Sequence, residues 1–176
     1  DTPISRMFET KTFSMYLEKL QKNGLEPITR DLLFNDKNNI GSVIIENALK
    51  HNKIEELNNE LKKNGETFKK DDFFNETHRN PHYFFYASEQ MPVVEPDAQN
   101  VLQVTKYNIT AIQNILTANN ETLTTEDLLN DKYGKTPYQN AAQWSFSIPL
   151  EWLENGTITF KKEHLVNEDG IEKNVY

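Results

Sequence analysis

The sequence predicts an all-α fold, a solenoid of helix pairs joined by short turns or hairpins. Three observations lead there. A ten-residue segment recurs four times, amphipathic helical stretches fill the intervals, and Asn-Gly or Asn-Asn dipeptides end those stretches. Repetition is decisive because a unit too small to bury its own apolar face has to stack on its neighbours.

The recurring segment reads PITRDLLFND at 27–36, TFKKDDFFNE at 67–76, TLTTEDLLND at 122–131 and TFKKEHLVNE at 159–168. Its second position is apolar in each copy (Ile28, Phe68, Leu123, Phe160), and so are its seventh and eighth. The ninth is Asn35, Asn75, Asn130 or Asn167, and the tenth is Asp36, Glu76, Asp131 or Glu168. Thr29, Thr67, Thr124 and Thr159 fall near the expected helix starts, and Thr124 with Asp127 has the spacing of a reciprocal N-cap pair. The Asn-acid end is turn chemistry, since these side chains satisfy nearby backbone groups and tolerate unusual dihedrals. Each copy therefore predicts one short helical turn closed by a polar turn.

The intervals supply longer helices. FSMYLEKLQKNG at 13–24 sets Phe13, Leu17 and Leu20 on one face before Asn23-Gly24 stops it. SVIIENALKH at 42–51 and KIEELNNELKK at 53–63 form a pair, the second a polar helix with the narrow stripe Ile54, Leu57 and Leu61 ahead of Asn64-Gly65. ITAIQNILTANN at 109–120 and PLEWLENG at 149–156 supply the same element later in the chain. The four Asn positions are 40, 55 and 37 residues apart, and the long middle interval contains MPVVEPD at 91–97, where Pro92 and Pro96 break a helix. One domain over 1–176 follows, in approximate units 1–36, 37–76, 77–131 with an insertion near 91–97, and 132–176.

Composition agrees with a thin core. Only 36% of residues are hydrophobic, yet ten Phe, seven Tyr and two Trp supply large apolar groups, which suits a stack of small units better than a disordered chain. The net charge of -8 leaves no basic stripe for a phosphate backbone, so nucleic acid is disfavoured as a partner. A basic protein partner and plain solubility are the two readings of that charge. The absence of cysteine removes thiol chemistry and the commonest zinc ligand. No apolar run reaches the ~18 residues of a membrane span, and none reads as a signal peptide. Compartment and oligomeric state stay open. Heavy use of Asn, Lys, Glu and Ile points to an AT-rich bacterial genome.

At 131–142 the chain reads DKYGKTPYQNAA. This resembles the ankyrin-repeat signature, with Asp131, Gly134, Thr136, Pro137, Tyr138, Ala141 and Ala142 at the matching offsets and Gln139 where that family usually has His. Gly134 permits the turn, Thr136-Pro137 opens a helix with a cap and an N1 proline, and the alanines allow close packing. Elsewhere the pattern thins to Gly41 and Ala48, to Ala87, and to Gly170. The resemblance implies a divergent, bacterial, ankyrin-like protein that binds partners rather than a cofactor or a metal.

The residues expected to meet a partner are the turn tips and nearby aromatics: His78, Arg79, His82, Tyr83, Lys132, Tyr133, Lys135 and Trp144. Four successive aromatics, Tyr83 to Tyr86, cannot all face inward on one helix, and exposed Tyr and Trp anchor interfaces well. A hydrolase using His78, His82 and nearby acids is a rival reading, weakened by Pro81 between the histidines. The paired acids Asp71-Asp72 and Glu126-Asp127 fit a helix start better than acid–base chemistry. A repeat segment of a larger secreted effector or structural protein is the other alternative. The triplets at Asn75, Asn108, Asn120 and Asn155 match the N-glycosylation pattern, as an Asn-rich chain does by chance.

Overall fold

The computed structural model describes residues 10–24, 27–35, 40–75, 82–89, 98–132, 134–144 and 147–165, with side chains set aside at 10–12, 89, 98–107 and 144. The described elements are all helices: α1 (Thr10–Lys22), α2 (Arg30–Phe34), α3 (Ile40–Lys50), α4 (Ile54–Lys62), α5 (Lys70–Phe74), α6 (Tyr83–Glu89), α7 (Ala98–Ala118), α8 (Thr125–Leu128), α9 (Pro137–Trp144), α10 (Ser147–Glu154) and α11 (Lys162–Leu165). The expected hairpins have no counterpart among the described residues, which contain no strand. The stretch 91–97 lies outside them.

The order is regular. The short helices α2, α5, α8 and α11 fall on the four recurring segments, and each follows a longer helix that ends in an Asn-bearing stop. α4 shows why the stops form. Its buried positions Ile54, Leu57, Asn58 and Leu61 recur at helical spacing, and Gly65 then takes φ +73, which lets Glu66 N–H donate back to Leu61 C=O at 3.1 Å. α7 ends the same way on Asn120 at φ +58, with Glu121 N–H donating to Leu116 C=O at 2.8 Å. Asn substitutes for Gly there because it tolerates the left-handed region.

Packing joins like to like. α4 lies on α7 and α6 on α9, while α3, α6 and α9 each also contact the helix that follows them, α4, α7 and α10. One continuous cluster of buried apolar side chains runs from Phe13 to Ile158. Its fully buried members include Ile44, Leu57, Phe68, Phe84, Ile112 and Trp152, each worth about 1.5–3 kcal/mol of transfer free energy. Three of the four aromatics Tyr83–Tyr86 turn inward, and only Tyr86 is left half-buried. The reason is that α6 is covered by α5, α7 and α9 together, so a wide arc of its surface is core.

Two sequence expectations change. Gly41 was expected in a turn but lies inside α3, where a Cβ would overlap the backbone of Leu33. Its role is close approach of α3 to α2, not positive φ. Thr67 and Thr159 do not cap helices. The N-cap positions are Thr29, Lys69 and Thr124, while Thr67 Oγ1 meets Asn58 Oδ1 at 3.1 Å and Thr159 N–H donates to Thr125 Oγ1 at 2.9 Å.

Candidate functional site

The acids come first, because any reaction at neutral pH would draw on them. Asp72 stands at the third position of α5, where its Oδ2 accepts Lys69 N–H at 2.8 Å, and its carboxylate also takes the Arg30 guanidinium from α2. That pair raises the Arg30 pKa, the hydrogen bond it donates to Asp72 outweighing the cost of burial. Asp127 repeats the arrangement on α8. Its carboxylate accepts Thr124 N–H at 2.8 Å, its backbone N–H donates to Thr124 Oγ1 in return, and it bridges Lys70 Nζ of α5 at 2.6 Å. Both acids thus close a helix start and tie it to the preceding short helix. Capping of this kind is what acids near a helix start provide.

Backbone hydrogen bonds run beside those bridges. Asn64 Nδ2 donates to Ile28 C=O at 3.0 Å while Glu66 accepts Arg30 N–H at 3.1 Å. Fifty-five residues on, Asn119 Nδ2 donates to Phe68 C=O at 2.6 Å while Glu121 accepts Lys70 N–H at 3.1 Å. The third junction is built differently. Thr125 replaces the base, its hydroxyl accepts Thr159 N–H, and Glu126 stands 3.9 Å from both Lys161 Nζ and His164 Nε2. His164 Nδ1 accepts Lys161 N–H at 2.9 Å, the task Asp72 and Asp127 perform earlier.

The sequence-picked partner residues separate into three groups. His82 and Tyr83 are each 2% exposed and so are not surface anchors. His82 Nδ1 accepts Phe85 N–H at 2.8 Å, capping α6, and its ring lies tilted at 45° to Phe74 with centroids 5.1 Å apart. Tyr83 OH meets Ser42 Oγ at 3.2 Å, joining α6 to α3, and burial pushes its pKa above the usual tyrosine value. Lys132 and Lys135 are exposed on the turn before α9, with Lys135 Nζ donating to Gln143 Oε1 at 3.2 Å. His78, Arg79, Tyr133 and the side chain of Trp144 fall outside the description.

The turn residues behave locally as their types dictate. Asn35 and Asn75 close α2 and α5 with backbone N–H groups donated to Asp31 and Asp71. Asn130 Oδ1 accepts Lys132 N–H at 3.0 Å, beside the exposed Asp131, and Gly134 takes φ +86. Thr136, ahead of Pro137, accepts Gln139 N–H at 3.0 Å, and Gln139 Oε1 accepts Thr136 N–H at 2.9 Å. Gln139 therefore completes a capping box, a signal readable in the T-x-x-Q spacing that the comparison with His obscured. Ala141 is fully buried. Asp36, Asn167 and Gly170 lie outside the described residues. Of the four glycosylation-pattern triplets, Asn108 is fully buried, its Nδ2 held by Leu49 C=O at 2.6 Å.

Two open grooves follow one face of the helices. The larger, about 380 Å³, lies between α4 and α7 with Glu55, Lys62, Glu66, Asn114 and Asn119 among its walls. The second, about 200 Å³, lies between α7 and the stop of α10 and includes Gln113, Thr117, Glu121 and Asn155. Sequence reading missed both, because they arise only when helices far apart in sequence align. Polar and apolar groups share their walls, with Ile115 and Ala118 in the larger and Leu116 and Leu123 in the smaller. Among the described residues no three His, Cys, Asp or Glu side chains gather as a metal site would require, and no helix is long and apolar enough to cross a membrane. No protein-family model matches the chain, and neither a curated protein nor a solved structure matches it.

Proposed function

We propose that this chain is an ankyrin-like helical repeat module that binds another protein and carries out no reaction itself. The observation that carries the reading is the recurrence of one junction: Asn64 and Glu66 on α2, then Asn119 and Glu121 on α5, with a base-to-Asp bridge beside each. Junctions repeated at equivalent positions suit a solenoid, whose units contact only their neighbours and whose remaining faces serve binding. Asp72 and Asp127, the best-placed acids, are committed to caps and bridges, which supports a binding role over a hydrolase. The binding surface consists of the Lys132–Lys135 turn and the concave helix face that a stacked repeat array presents. A net charge of -8 favours a basic partner.

Photo-crosslinking in the native cell tests this. A crosslinker at position 132 or 135 is expected to trap one saturable protein partner, and one at Glu55, in the groove between α4 and α7, is not. Absence of any partner at these turn positions, with the fold intact by circular dichroism, refutes the assignment.

A further inference from the structure

Five large apolar side chains among the described residues reach solvent, and the three most exposed are Met15 in α1 at 64% and Leu150 and Leu153 in α10 at 50% and 40%; Ile40 in α3 and Leu165 in α11 are the other two. The three most exposed lie on the first and last of the longer helices described. Counting back from the Asn at each helix stop gives their equivalents. Leu153 matches Lys62 and Thr117, and Leu150 matches Asn59 and Asn114. Lys62 borders the groove toward α7, and Thr117 borders the groove toward α10, so this position looks toward the helix that follows. In α10 the same position carries leucine.

The opposite end is related. In α7 the side facing α4 includes Asn114, Ile115 and Ala118, and Ala111 continues that stripe one turn earlier. The matching stripe of α1 is Met15, Glu18, Lys19 and Lys22, all exposed. Where α7 has a buried alanine at this position, α1 presents a methionine to solvent.

Charge follows the same logic. Arg30 and Lys70, each the first residue of its short helix, pair with an acid of the next short helix. Lys162 is the first residue of α11 and is exposed, with no acid bonded to it among the described residues. On the first short helix the position that receives such a base in α5 and α8 is Leu32, and the exposed Asp31 one residue before it carries the acid, its Oδ1 also accepting Asn35 Nδ2 at 2.6 Å.

We propose that the chain associates with a second copy head to tail: the Leu150–Leu153 edge and Lys162 of one copy dock on the Met15 stripe and Asp31 of the next, continuing the junction that already joins the units inside one chain. A contact between two different surfaces is heterologous, so it extends rather than closing on itself. The apolar area at each end is small beside the ~1,600 Å² of a standard interface, which makes the association weak, with a dissociation constant on the order of 10–100 µM. The proposal rests on the stacked-unit reading but not on the partner surface at Lys132 and Lys135.

Sedimentation velocity on the full chain tests it, from about 5 to 500 µM to span that range. The weight-average mass is expected to rise with concentration. Leu153→Lys and Met15→Glu, which install the residues found at these positions in α4 (Lys62 and Glu56), should each hold the chain as a monomer. An equimolar mixture of the two variants should recover a one-to-one dimer that grows no further, because each retains the end the other lacks. A wild-type chain that stays monomeric overturns the proposal. So does a dimer insensitive to Met15→Glu, which would be symmetric, and so does a mixture that fails to associate. Crosslinking at positions 132 and 135 is unaffected by any of these outcomes, so the two readings fall separately.

Discussion

The junction between α2 and α5 and the junction between α8 and α11 perform one task with different chemistry. In the first, Arg30 and Asp72 form a two-pronged bridge whose acid is 7% exposed, and carboxylate and amide side chains close the backbone. In the last, a threonine hydroxyl mediates between backbone groups, and the Lys161–Glu126 ion pair stretches to 3.9 Å at a Glu126 that is 67% exposed. Buried, hydrogen-bonded charge is costly to disrupt, whereas exposed pairs contribute little. The comparison teaches that the same sequence position holds the chain firmly at one end and loosely at the other.

The largest effect should follow from Asp72→Ala, which removes a helix cap and strands Arg30. A loss of about 2–4 kcal/mol is expected in urea unfolding, and a loss below that of Glu126→Ala would erase the contrast. Asn58→Ala comes next. Asn58 is buried and its Oδ1 accepts both Phe68 N–H and Thr67 Oγ1, so about 1–3 kcal/mol should be lost. Asp127→Ala, at a half-exposed bridge, should cost about 1 kcal/mol, partly recovered in high salt. Glu126→Ala should stay within about 0.5 kcal/mol. To sharpen the comparison, Thr125→Lys combined with His164→Asp should rebuild the earlier bridge, and a double-mutant cycle should show favourable coupling of about 0.5 kcal/mol.

A pH series adds an independent check. Burial lowers the His51 pKa, and Lys50 and Lys53 add to that shift. A folded-state pKa below the unfolded one means stability present above about pH 6.5 and lost as pH falls through the folded value. His51→Asn should therefore flatten the decline in unfolding free energy between about pH 7 and 5; an unchanged slope would assign it elsewhere.

Much of the local structure was legible. The four recurring segments predict the short helices, Asn64-Gly65 predicts the end of α4, and Gly134 with Thr136-Pro137 predicts the turn and cap before α9. These rest on interactions within a few residues, which composition and spacing encode directly. His82 and Tyr83 were misplaced for the converse reason. A polar turn sequence says nothing about α5, α7 and α9 closing over it, and His82 also serves as an N-cap, a role few would assign to histidine. Asp71-Asp72 could be placed at a helix start, yet only the approach of α2 revealed which of the two carboxylates meets Arg30.

The chain itself determines helical class, segment ends and capping chemistry, because hydrogen bonds of short reach and the period of its apolar residues dictate them. Tertiary structure decided which surfaces remain: the grooves beside α7, the burial of α6 and the leucines left open on α10. Burial depends on what arrives from distant sequence, and no property of a single helix records whether another will cover it.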